Sequence, residues 1–388
     1  MKVLAVASTM DLALKLGCTP SWWQLWKALH ETGHQVIVTP YLGDPVEALW
    51  WRTYPNPCRT ESALFNKYLA SRKASGKSPS RKTALSPLFR KVIELRIRPR
   101  WMKHLQHIIT EERDIDVLLF MNVPINHITG IPLSISEEYG IPVVFYDGDM
   151  PSALPDHAVQ RGLRFSYYEG ADLSEFDLFL VNSEAVIPRI KQMGAKRVSP
   201  FHYAIDPDLF TPLIVPRKQT DVAYYALSST AREAWIRDMI TIPSLKLEHR
   251  TFRVAGGRFD VDLGNAMHGG DLTYSEYRRF CCTSSINLNI TSWTHATARG
   301  TSTSRPFELA AFGCCIVSQP YDGIELWFKP EKEIAIVHSA DEASALYEEL
   351  LSHPEVASAL GTRARERVLS DHTYRQRAVQ LTRLIDDT

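Results

Sequence analysis

Two doubly wound α/β domains in tandem are the fold that this 388-residue sequence predicts. Three observations carry the reading. Short apolar runs of strand length recur along the chain, helical stretches separate most of them, and a proline-rich segment at 204–220 parts them into two sets. The length agrees, because domains of about 150 residues would give two or three here.

The run KVLAVAS at 2–8 is apolar and strand-length, and a helical pattern follows over Ser21–Glu31. Gly33 and His34 stop that helix before QVIVTP at 35–40, so the chain opens on a βαβ unit, whose natural product is a parallel sheet. DVLLFM at 116–121, IPVVFY at 141–146 and FDLFLVNS at 176–183 continue the series, giving a first domain over 1–205. Residues 206–220 lie in AIDPDLFTPLIVPRKQT, which has three prolines and no convincing period, and read as a linker. DVAYYAL at 221–227, TFRVAGG at 251–257, SINLNI at 285–290, CCIVSQ at 314–319 and EIAIVHS at 333–339 are the strands of a second domain over 221–372. Helical pieces at 231–240, 274–282 and 341–351 lie between them, and 373–388 forms a terminal helix. Open parallel sheets bind ligands beyond the carboxyl ends of their strands, so a shared site is expected in a cleft between the two domains.

Lys+Arg and Asp+Glu are both 44, so no global charge draws the chain to nucleic acid or membranes. The opening MKVLAVAST lacks the pattern of a signal peptide, and no apolar run is long enough to span a bilayer. Six cysteines, none in a CxxC, read as buried reduced thiols of a cytoplasmic protein. One segment departs from this balance. Between 72 and 103 eleven basic residues stand against Glu94 alone, a local charge of about +10. It reads either as a solvated basic insertion or as a surface for a negatively charged acceptor or partner.

Four blocks in the second half carry a resemblance: YSEYRRFCCTSSINLNIT, STSRPFELAAFGCCIVSQ, GIELWFKPEKEIAIVHS and DHTYRQRAVQL. In this order and spacing they resemble the CgeB-like, spore-maturation type of GT-B glycosyltransferase, over about residues 175 to 385. The resemblance implies two Rossmann-like domains facing a central cleft, a nucleotide-sugar donor on the second domain, more specifically a UDP-sugar, and transfer to a hydroxyl acceptor. It implies no resident cofactor and no metal.

In such enzymes a glutamate near the start of a helix accepts the ribose hydroxyls, and Glu308 in RPFELAAFG stands at that position. The chemistry suits it, because a carboxylate is acceptor-only and can take both hydroxyls of a vicinal diol. The alternative is that Glu308 merely favours the positive end of its helix. Arg305, beside the free N–H groups of the helix start, suits a diphosphate, or else forms a surface ion pair. Thr303 and Ser304 add hydroxyl donors or cap the helix. The resemblance puts Arg232, after YYALSST, against the donor diphosphate, where it would stabilise the leaving group. Gly256 and Gly257 allow a close backbone approach to the base, or form a plain turn. Many retaining members carry a second glutamate upstream of the ribose glutamate. Here that stretch holds Thr301 and no glutamate, so the stereochemistry stays open.

Asp147-Gly148-Asp149 has the spacing of a metal-binding DxD, but that motif belongs to the other glycosyltransferase fold. Its residues also suit a strand-ending turn. Asp147 and Asp149 would then hold the acceptor or act as base. For the base itself Asp11, beyond the first strand, leads, with His127 after it and His295 as a third candidate. Trp22 in SWWQLW either packs in the core or stacks on the acceptor. Two other readings compete: a nucleotide-sugar epimerase on the same fold, and a protein that binds or glycosylates nucleic acid through 72–103.

Overall fold

The computed structural model describes residues 1–10, 20–63, 87–154 and 167–387, which divide into two compact units. Of these residues, the first unit takes those up to 10, those from Leu25 to Phe201 and those from Ala378 onward. The second takes 20–24 and His202–Arg377.

The first unit is built on seven strands: β1 Lys2–Thr9, β2 Gln35–Leu42, β3 Arg52–Thr53, β4 Val117–Met121, β5 Val143–Asp147, β6 Leu178–Val181 and β7 Val198–Pro200. Their order is β3-β2-β1-β4-β5-β6-β7 and every neighbouring pair is parallel. The central strand β4 is buried along its whole length, as expected where both faces of a parallel sheet are covered. On one face Leu4, Val6, Leu118, Phe120 and Phe145 share a core with Trp101, Leu105 and Ile108 of the helix Arg98–Glu112.

That helix corrects the reading of 72–103 as a solvated insertion. Residues 72–86 lie outside the described residues, but the remainder is helical and docked. Ile93, Ile97 and Trp101 are core residues. Arg90 pairs with Glu169 and Arg100 with Glu61, so acids distant in sequence offset part of the local charge.

The second unit has six strands: β8 Thr220–Ser228, β9 Phe252–Arg258, β10 Met267–His268, β11 Ser284–Asn289, β12 Cys315–Ser318 and β13 Ala335–Ile336. They run β10-β9-β8-β11-β12-β13, again all parallel. Alternation along β8 sends Val222 and Tyr224 into one core and Tyr225 into the other. Ile205 and Phe210 are both fully buried in that second core, so the proline-rich stretch contributes packing as well as connection. Five cysteines, at 58, 281, 282, 314 and 315, are buried and free. Among the described residues no helix is long and apolar enough to cross a membrane.

In each sheet the strand order reverses direction once, between β1 and β4 and between β8 and β11. In open parallel sheets it is the loops leaving the carboxyl ends of such a pair that offer a ligand crevice.

Candidate functional site

In the second unit the helix Ser304–Ala311 follows the loop after β11, and its inner face carries Glu308. The carboxylate is 2% exposed and its Oε2 accepts from the hydroxyl of Tyr277 at 2.9 Å and from Nη1 of Arg305 at 3.1 Å. Arg305 Nη1 also donates to the Tyr277 oxygen. The Arg305 guanidinium carbon lies 4.7 Å from the ring centroids of both Tyr225 and Tyr277, and about a fifth of the side chain remains exposed. A charged residue that buried needs such partners, and the cluster supplies them from β8, from the helix Tyr274–Cys282 and from the Ser304–Ala311 helix itself. Sequence reasoning placed Arg305 and Glu308 together and the structure does the same. The simple surface ion pair is excluded by the burial of Glu308.

Arg232 sits at the switch point. Its Nε donates to the carbonyl of Ile290 at 3.2 Å, and Nη1 to the carbonyls of Ser228 and Thr230 at 3.2 and 3.1 Å. It is thereby fixed between the loops leaving β8 and β11. The preceding Ala231 has φ +61°, a left-handed conformation that costs an alanine energy, and its carbonyl accepts from the N–H of Trp293. Strain of this kind beside a fixed arginine is a common accompaniment of a binding loop.

Gly256 and Gly257 have another cause than the one expected. A Cβ on Gly256 would lie 1.9 Å from the carbonyl oxygen of Ala226, and one on Gly257 would lie 2.1 Å from that of Leu227. The close approach is of β9 to β8, so the need for glycine is internal to the sheet. Thr303 is the residue before the helix, yet its side chain makes no capping bond, and Ser304 opens the first turn half-buried. His295, after β11, is bonded through Nδ1 to Ser292 Oγ at 2.8 Å.

In the first unit the loop after β5 is held from both sides. Asn122, after β4, accepts from the Gly148 N–H at 2.8 Å and donates to Asp149 at 3.3 Å, and Asn182, after β6, accepts from the Met150 N–H at 3.0 Å. Asp147 is buried, accepting from the hydroxyl of Tyr168 at 2.6 Å and from the Asp149 N–H at 2.8 Å. Asp149 is half-buried, and a small recess beside it is lined by Asn122, Val123, Tyr167 and Tyr168. Among the described residues no three His, Cys, Asp or Glu side chains are grouped as a metal ion would require.

His127 does not sit as a base should. It is buried, its Nδ1 is engaged by the Tyr41 hydroxyl, and burial, aided by the charge of Arg98, lowers its pKa to about 3. A group with so little basicity accepts a proton poorly near neutral pH. Trp22 is half-buried with its ring 6.0 Å from that of Trp23. Asp11 lies outside the described residues.

Sequence reasoning missed Tyr225 and Tyr277. Both stand in apolar or helical runs, DVAYYAL and YSEYRRF, but nothing in their spacing marks a tyrosine that bonds a carboxylate rather than one that fills a core.

With this geometry in view, a family model described as glycosyl transferase-like matches residues 232–383, the span that contains Arg232, Tyr277, Arg305 and Glu308. No curated protein matches the chain's sequence. Among solved structures, sucrose-phosphate synthase from Thermosynechococcus elongatus is similar over 100% of this chain and 99% of its own, with TM-score 0.66 and 13% identity. HepE of Anabaena in complex with UDP-glucose is similar over 100% of both chains, with TM-score 0.61 and 12% identity. T4 phage BGT in complex with UDP-glucose covers 98% of this chain and 97% of its own, with TM-score 0.53 and 10% identity. These likenesses establish the fold: two parallel-sheet Rossmann-like units of the GT-B kind.

Proposed function

We propose that this protein is a glycosyltransferase that moves a sugar from a UDP-sugar to a hydroxyl acceptor. The observation that carries the reading is the buried Glu308–Arg305–Tyr277 cluster, placed within the span matched by the glycosyl transferase-like model. Neighbours of the same fold that hold UDP-glucose support the choice of base and sugar class. The four sequence blocks support the finer CgeB-like assignment. Buried free thiols fit a reducing, cytoplasmic setting.

In this reading the acceptor hydroxyl oxygen attacks the anomeric carbon, the bond from that carbon to the phosphate oxygen breaks, and UDP leaves with the electron pair. The acceptor proton passes to a base. Arg305 and Arg232 lower the energy of the departing diphosphate, since fixed positive charge matters most where negative charge develops. Glu308 takes ribose hydroxyls through Oε1, while Tyr277 and Arg305 hold its Oε2. Thr303, Ser304 and the start of their helix are proposed to add donors to the phosphates, and Gly256 and Gly257 to shape the end of β9 on the donor side. Asp149, the more open of the two aspartates, is the acceptor-side carboxylate, with Asp147 fixing its loop. Asp11 is the proposed base, and Trp22, which belongs to the second unit, is proposed to stack on the acceptor. Nothing in the geometry favours an epimerase, and Glu169 and Glu61 meet part of the charge of the basic segment through Arg90 and Arg100.

Thermal stabilisation by a panel of nucleoside diphosphates and their sugars, repeated on Glu308→Gln, tests the reading. A rise in Tm with uridine compounds, lost in the variant, is the expected result. No rise with any nucleotide would overturn it.

A further inference from the structure

We infer that Tyr277 is a positioning residue of the donor site, holding Glu308 and Arg305 in one fixed relation, with Tyr225 as a second support for the guanidinium. The inference rests on the donor reading given above and deepens it.

A phenol hydroxyl has one proton to give and lone pairs to receive with. Tyr277 uses both on the proposed donor residues: it donates to Glu308 Oε2 at 2.9 Å and accepts from Arg305 Nη1. Its ring and that of Tyr225, 4.9 Å apart and tilted by 45°, each lie 4.7 Å from the guanidinium carbon. Cations settle against aromatic faces in this way, and a long arginine side chain gains a defined orientation from it. Tyr277 is fully buried and Tyr225 nearly so. Phenylalanine would fill the same core space beside Phe312, which lies 5.8 Å from the Tyr277 ring, without any need to satisfy a hydroxyl. The hydroxyl is accounted for by what it holds, a carboxylate and a guanidinium that start as neighbours only three residues apart on a short helix. Its effect on chemistry is indirect: it sets where the two groups stand before UDP arrives.

The test measures UDP affinity by titration calorimetry in the full chain. Tyr277→Phe keeps the ring and should weaken UDP binding about tenfold, while on an Arg305→Ala background the same change should cost less than about twofold. Tyr225→Leu, which removes the other ring, should weaken binding about fivefold. Tyr347→Phe is the control, because it deletes another buried hydroxyl of the same unit, bonded to the Met239 carbonyl at 3.0 Å, and should leave UDP affinity unchanged. Wild-type affinity retained in Tyr277→Phe would overturn the inference and leave the donor reading standing. Equal losses in both backgrounds, or an equal loss in Tyr347→Phe, would overturn it too, since a general structural effect behaves that way. Failure of the wild type to bind UDP would overturn the donor reading and this inference together.

Discussion

The guanidinium of Arg232 donates to the carbonyl of Ile290 at 3.2 Å, joining the loops that leave the two strands of the switch point, β8 and β11. Its other bonds, to the carbonyls of Ser228 and Thr230, close the β8 loop on itself. The residue proposed to meet the diphosphate is thus also the brace of the loop that presents it.

Replacement by lysine separates these duties. An ammonium keeps the charge but cannot reach two loops with a planar fork. Arg232→Lys should lower stability by about 1 kcal/mol, the scale of a charged hydrogen bond lost at a partly exposed site. It should weaken UDP binding about tenfold, because the remaining charge is no longer fixed. Urea denaturation and calorimetry on the same preparation check both numbers, and unchanged UDP affinity would remove Arg232 from the donor site.

Gly256 offers a prediction about the sheet that carries this loop. Its φ is +115°, and a side chain there would bring its Cβ within 1.9 Å of the Ala226 carbonyl oxygen, so the end of β9 has no room for one. Gly256→Ala should therefore cost about 2–3 kcal/mol through overpacking and backbone strain together. Gly269→Ala, where the nearest atom would be the Val254 carbonyl oxygen at 3.9 Å, should be close to neutral. Denaturant midpoints of the two variants compare them directly, and similar values would contradict the steric account.

Most of the fold was legible because parallel strands buried on both faces leave continuous apolar runs. DVLLFM marks β4 in that way, and SINLNI, apolar at every second position, marks β11, each to within about a residue at either end. The strands that escaped notice, β3, β7 and β10, have two or three residues each, too few to make a pattern. Charge counting misjudged 87–103, because Trp101 and Ile97 bury one face of a helix whose other face is basic, and because the partners Glu61 and Glu169 lie far away in sequence. At the site, Arg305 and Glu308 were legible since they share one helix. Tyr225 and Tyr277 were not, since only the fold brings β8 and the Tyr274–Cys282 helix against them. Gly256 and Gly257 were noticed for the right property, close approach, but the approaching group is a neighbouring strand.

Three histidines give the protein a defined response to acid. His127, His104 and His372 have pKa values lowered from 6.5 to about 3, 4 and 4, in each case first by burial and next by the neighbouring positive charge of Arg98, His107 and Arg377 respectively. Between those values and 6.5 the unfolded chain binds protons that the native state refuses. Stability therefore rises with pH across that window and is lost as pH falls from about 6.5 toward 4. Each such histidine contributes a slope of up to about 1.4 kcal/mol per pH unit. His127→Gln should flatten the dependence of the urea midpoint on pH between about 4.5 and 6.5. It should leave the pH dependence of kcat near neutrality unaltered, since so weak a base is not the one that titrates there. A kcat profile that lost its limb in this variant would restore His127 as a catalytic group.

The two aspartates after β5 should separate in the same way, one by stability and the other by turnover. Asp147 is buried and accepts from Tyr168 and from the Asp149 N–H, so Asp147→Asn replaces a charged acceptor of two bonds with a group that can satisfy only part of that demand. A loss of about 1–3 kcal/mol is expected, with UDP affinity intact because the residues proposed to hold UDP belong to the other unit. Asp149 is half-buried, and an asparagine there can present its own amide oxygen to the Asn122 Nδ2 that meets it at 3.3 Å, leaving the Asn122 bond to the Gly148 N–H in place. Asp149→Asn should therefore fold as the wild type does and bind UDP as tightly, yet transfer the sugar at least about tenfold more slowly, because a carboxylate that orients or deprotonates the acceptor hydroxyl contributes at that order. Comparing sugar transfer to acceptor with simple hydrolysis of the UDP-sugar isolates the effect. If Asp149 serves the acceptor, transfer falls and hydrolysis does not, whereas equal rates of transfer in variant and wild type would take this loop out of the reaction and leave it as a turn held by Asn122 and Asn182.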